Sequence, residues 1–109
     1  MIVEMRQYTL EAGKVPAFLQ RYGEQGVGIQ SEILGGLEGY FSTDVGSVNQ
    51  VVHLWSYESF EERIQRRKQL AANDEWQNYV SGVRPWMREQ RSSILVPAPF
   101  SPMPSANRG

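Results

Sequence analysis

Residues 50–57 read Gln-Val-Val-His-Leu-Trp-Ser-Tyr, and as a strand this run leaves no face fit for water. Gln50, Val52 and Leu54 fall on one side, and Asn49, Val51, His53, Trp55 and Tyr57 on the other. A sheet built on such a strand needs cover on both faces. A chain of 109 residues makes a single domain, so its own helices can supply one cover only. A two-fold copy of the same chain is the simplest source of the other, and the expected partner is therefore the chain itself, as a homodimer.

The flanking sequence supplies the rest of the sheet and its helices. Residues 2–10 alternate as a first strand, with Val3 and Met5 on one face and Ile2, Glu4, Arg6, Tyr8 and Leu10 on the other. Glu11-Ala12-Gly13 is a turn, and Pro16 suits a first helical turn. Val15, Phe18, Leu19 and Tyr22 share a helical face, while Gly23, Gly26 and Gly28 predict a kink or an end within 23–30. Ile29, Ile33 and Leu34 then return the chain to the core. Leu37–Val45 and Gln50–Tyr57 flank a Gly-containing turn and predict an antiparallel hairpin. Ser59-Phe60-Glu61-Glu62 has the form of a capping box, followed by a helix with Phe60, Ile64, Leu70 and Ala71 as its buried stripe. Asp74-Glu75-Trp76-Gln77 opens another helix, which buries Trp76, Tyr79, Val80 and Val83 and ends near Pro85. Met87–Val96 completes the sheet. The order β-α-β-β-α-β predicts an α+β, ferredoxin-like fold: an antiparallel four-stranded sheet with helices on one face. The domain takes residues 1–97. Residues 98–109 form a Pro-rich tail, either frayed or docked as an arm on a partner, since Phe100 and Met103 are costly to leave in water.

Composition removes several classes of function. Eleven Lys and Arg against twelve Asp and Glu give a formal charge of −1, with no pull on nucleic acid or an anionic membrane. The absence of Cys excludes disulfides and thiolate metal sites, and suits a reducing compartment. No apolar stretch approaches the roughly 20 residues of a membrane span, and the N-terminus lacks the form of a signal peptide. The expected location is cytoplasmic.

His53 is the only histidine, and imidazole titrates near neutrality. It is either a structural histidine with both nitrogens hydrogen-bonded or a catalytic acid/base in a pocket. One histidine without cysteine speaks against a catalytic metal site; haem ligation finds no further support, and no cofactor is called for. Asn49 is either a turn residue or a group that orients a carbonyl or hydroxyl. Trp55 offers an indole N–H beside His53. Arg6 and Tyr8 share a face of the first strand, which neighbours the third in this fold. Arg6 is either paired with Glu4 or another carboxylate, or an anion clamp. Tyr40 joins the same candidate substrate-binding group or packs in the core. The run Arg63, Arg66, Arg67, Lys68 is spread by helical spacing and reads as a solvated face.

The opening Glu4–Leu10 with Gly13-Lys14, the segment Leu34–Phe41, the hairpin Asp44–Tyr57, and the later Asp74-Glu75-Trp76, Arg84-Pro85 and Pro97–Ser101 together resemble the NIPSNAP family. The resemblance covers nearly the whole chain, with Asn49-Gln-Val-Val-His-Leu-Trp55 its most specific element. It implies membership of the dimeric α/β-barrel group, in which two ferredoxin-like protomers join their sheets. That group includes cofactor-independent oxygenases, small-molecule isomerases and haem-handling enzymes. Two functions are therefore expected: a small-molecule pocket with oxygenase- or isomerase-type activity, or a non-catalytic dimeric interaction module.

Overall fold

A computed structural model describes residues 1–105. Strands β1 (Ile2–Leu10), β2 (Gly36–Ser42), β3 (Gln50–Tyr57) and β4 (Met87–Leu95) form one antiparallel sheet in the order β2-β3-β1-β4. Helices α1 (Val15–Arg21) and α2 (Val27–Leu34) lie between β1 and β2, and α3 (Phe60–Ala71) and α4 (Asp74–Val83) between β3 and β4. The fold is α+β and ferredoxin-like. No helix among the described residues is long and apolar enough to cross a membrane.

The alternation in β3 is complete: Val51, His53, Trp55 and Tyr57 are buried, while Gln50, Val52, Leu54 and Ser56 are half-buried. The buried side faces the helices. Tyr8, Leu10 and Val51 pack with Phe18, Tyr22, Tyr79 and Val83 near one end of the sheet. Ile2, Trp55 and Tyr57 pack with Leu34 and Leu70 near the other.

Several sequence expectations need correction or sharpening. Of the kink or end expected for the first helix within 23–30, the chain shows a break in regularity and no end. Residues Tyr22–Gly26 form a π-helical turn joining α1 to α2, with the Val27 amide bonding the Tyr22 carbonyl. The extra residue accommodated there rotates α2 relative to α1, and Tyr22 and Gln30 come together. Gly26 is required at this turn, because a Cβ would lie 2.7 Å from the Tyr22 ring and 2.9 Å from that of Tyr79.

Strand β2 ends at Ser42 rather than Val45; the Thr43 amide bonds the Gln50 carbonyl, and residues 43–49 form the loop. Helix α4 starts at Asp74 as expected, and its cap is Asn73, whose side chain accepts from the Trp76 amide.

The stripe assigned to α3 is also wrong. Phe60 and Ile64 are 52% and 50% exposed, and only Leu70 is buried. Ser59 does cap the helix by accepting from the Glu62 amide, while Glu62 reaches back to the Glu58 amide. The helix therefore starts where expected, but it turns Arg63, Arg67 and Leu70 inward, because the sheet beneath carries the carboxylate of Glu4. The basic run is accordingly not a wholly solvated face.

The described part of the tail returns to β2 of its own chain. The Ser105 amide and hydroxyl both donate to Glu38, and Pro104 is fully buried. Residues 106–109 of the expected tail lie outside the described residues.

Candidate functional site

The register of the sheet sets one row of side chains across its centre. Tyr40 of β2 is opposite His53 of β3, His53 opposite Arg6 of β1, and Arg6 opposite Ser92 of β4. Residues directly opposite in antiparallel strands share a face. Four candidates chosen from the sequence (Arg6, Tyr8, Tyr40 and His53) therefore stand together, with Trp55 two residues along.

Their contacts are close. The Tyr40 ring stacks on the imidazole with centroids 4.5 Å apart, and Tyr8 meets it edge-on at 4.8 Å. The Trp55 indole donates to His53 Nδ1 at 2.6 Å, which assigns the imidazole proton to Nε2. The indole N–H is thus committed to His53 rather than offered to a ligand. Nε2 is buried without a partner, so His53 is not the doubly satisfied structural histidine that one sequence reading allowed. Burial, followed by the charges of Arg6 and Arg67, holds its pKa down to about 3, with Glu4 opposing only in part. The imidazole is neutral at physiological pH.

Arg6 donates from Nε to the Tyr8 hydroxyl at 2.9 Å and from Nη1 to Glu4 at 3.1 Å. Glu4 is completely buried and also receives Arg63 at 2.6 Å and Ser92 at 2.7 Å, with Arg67 at 3.5 Å. Burial alone raises the Glu4 pKa. The hydrogen bonds from Arg63 and Ser92 and the charges of Arg67 and Arg6 more than reverse this, to about 2. Glu4 is thus a fixed anion that holds three guanidiniums around it.

Between this row and the helices lies a cavity of about 190 Å³. Arg6, Tyr8 and Tyr40 line it from the sheet, and Phe18, Tyr22, Gln30, Trp76 and Tyr79 line it from the helical layer. Tyr22 stacks on Tyr40 at 4.6 Å and donates to Gln30 at 2.6 Å. Burial, reinforced by neighbouring tyrosines, pushes the Tyr22, Tyr40 and Tyr79 hydroxyls above the usual phenol range. They remain protonated donors at neutral pH.

His53 and Trp55 do not line the cavity; they support its Tyr8–Tyr40 wall from behind. Asn49 is elsewhere. Its side chain accepts from the Gly13 amide at 3.3 Å and its carbonyl from the Leu10 amide at 2.8 Å, so it ties one turn to another. Sequence reasoning missed Tyr22, Gln30, Arg67 and Tyr79 as lining residues. The two tyrosines carried a helical apolar signal, which marks core and cavity wall alike. Arg67 was hidden in its basic run.

The NIPSNAP family model matches residues 3–102. Human Protein NipSnap homolog 3A is 36% identical over 78 residues, which is 68% of this chain and 30% of the relative. The chain spans about a third of the length of the curated relatives it matches. An uncharacterized NIPSNAP-like domain protein from Burkholderia xenovorans superposes with TM-score 0.91 at 46% identity, covering 93% of this chain and 88% of the other. A putative antibiotic biosynthesis monooxygenase from Nitrosomonas europaea, only 12% identical, shares the fold with TM-score 0.66 over 89% of this chain and 98% of its own.

Proposed function

This chain belongs to the NIPSNAP family, and on that premise we propose that it is a homodimer whose protomers each hold a small organic molecule between sheet and helices. The cavity carries this reading. Its walls are aromatic, and its polar groups sit on strands and helices, as a preformed binding pocket requires. Arg6, Tyr8 and Tyr40 contact the ligand, together with Tyr22 and Tyr79; His53 and Trp55 keep Tyr40 and Tyr8 in place.

Oxygenase- or isomerase-type turnover fits this pocket for a substrate that brings its own acidity. His53, at about 3, is far too weak a base to take a proton at neutral pH. The buried tyrosines are too reluctant to give one up. Binding and orientation are what the geometry does best. The homodimer reading draws on the opposite sheet face, where Val52 and Leu54 are half-buried, Phe41 is 54% exposed and Leu95 is 41% exposed.

Toluene and the fluorescence of Trp76, which lines the cavity, test the pocket. A saturable change is expected in the native protein and not in a folded Val80→Phe variant, whose larger side chain fills the space. No saturable change in the native protein, or the same change in both, would rule the pocket out.

A further inference from the structure

Resting on that pocket, we infer that its occupant is a single-ring organic molecule bearing a carboxylate or an equivalent oxyanion. The lining is one-sided in charge. Arg6, Arg67 and Arg84 border the cavity, and none of its other lining residues is acidic, although the whole chain has a formal charge of −1. Glu4 does not cancel this excess. It is one carboxylate shared among Arg6, Arg63 and Arg67, and it lies outside the lining.

The hydrogen-bond inventory leans the same way. The buried side-chain atoms without a hydrogen-bond partner, among the described residues, are His53 Nε2, Arg63 Nε and Arg67 Nη1. Arg67 Nη1 lies 3.5 Å from Glu4, near enough for attraction between the charges but without a hydrogen bond. With His53 Nδ1 occupied by the indole, all three atoms are N–H donors, and no acceptor is left over. Arg63 and Arg67 both sit on Glu4, and of the three residues Arg67 alone lines the cavity. Buried donors without acceptors are costly, so the missing component is an acceptor. A carboxylate offers two oxygens with about four lone-pair sites and suits a guanidinium fork. Arg67 is the direct contact, since it both lines the cavity and holds an unspent donor. The rest of the ligand is set by size and walls. A cavity of roughly 150 Å³ accepts benzene, so about 190 Å³ accepts one ring with a small polar substituent. Tyr8, Tyr40 and Trp76 present ring faces or edges to it.

Calorimetric titration with benzoate, benzamide and toluene separates the charge from the ring. The native protein is expected to bind benzoate at least about tenfold more tightly than benzamide, with the preference shrinking as salt is added. In Arg67→Gln the preference should vanish while toluene still binds, showing that the pocket persists. Equal binding of benzoate and benzamide beside bound toluene would overturn the anion and leave the pocket standing. Failure of all three ligands to bind would overturn both. Should Arg67→Gln not fold, the benzoate-to-benzamide ratio of the native protein and its salt dependence decide alone.

Discussion

Glu4 lies in the middle of the inner sheet face with no solvent contact, yet it stays ionised because Arg63, Ser92, Arg67 and Arg6 surround it. Its pKa falls from 4.5 to about 2 on folding, so its stabilisation is complete above 4.5 and drains away as pH drops toward 2. That depression is linked to roughly 3 kcal/mol of stability. Glu4→Gln should cost about 3–5 kcal/mol at pH 7, because three guanidiniums lose their counter-charge. It should also remove most of the loss of stability below pH 4.5; urea midpoints across pH 2–7 check both. His53 has the same sign. The unfolded imidazole binds a proton near 6.5 and the folded one near 3, so stability begins to fall once pH drops below about 6.5. As the only histidine, it gives one resolvable imidazole signal. That NMR signal should not move between pH 5.5 and 8, and a midpoint near 6.5 would contradict the burial described for it. The sequence placed Arg6, Tyr8, Tyr40 and His53 together because strand alternation and fold order determine a row. It could not show that His53 lies behind the cavity wall, since which side of a ring faces empty space depends on packing.

At the scale of elements, the π-helical turn and α3 are where sequence and structure part. Glycines at 23, 26 and 28 all weaken a helix in the same way on paper, and only contact separates them. At Gly26 an added Cβ meets Tyr22 and Tyr79 at 2.9 Å or less, whereas at Gly28 it meets nothing within 4 Å. Gly26→Ala should therefore destabilise by about 1–3 kcal/mol through displaced rings. Gly28→Ala should stabilise by about 0.5–1 kcal/mol through helix propensity. Thermal unfolding of the pair distinguishes close approach from mere flexibility. In α3, apolar periodicity pointed to Phe60 and Ile64, while the inner face belongs to Arg63 and Arg67. The signal that could have corrected this was Glu4 alternating with Ile2 and Tyr8 on one strand face. A carboxylate there calls for cations from whatever packs above it.

Across the whole molecule, the helices cover one sheet face, and the other keeps Phe41 and Leu95 in contact with solvent. The tail adds to that surplus, since Ser105 docks on Glu38 while Phe100 remains 88% exposed. A homodimer that covers these residues predicts twice the protomer mass by light scattering at micromolar concentration. Leu54→Glu should shift that mass toward the monomer without emptying the pocket, because Leu54 and the cavity lie on opposite faces. The apolar character of both sheet faces was legible in β3 alone. A pocket near Arg6, Tyr8 and Tyr40 was expected as well, but its helical wall was not legible, because which side chains border a space between layers has no letter in the sequence. The most direct test of the central claim is NMR chemical-shift mapping during titration with toluene and then benzoate. Shifts should concentrate on Tyr8, Tyr40, Trp76, Tyr79 and Val83, and benzoate should add the Arg67 side chain. Shifts confined to the solvent-facing side of the sheet or scattered over the surface would contradict a binding site between sheet and helices.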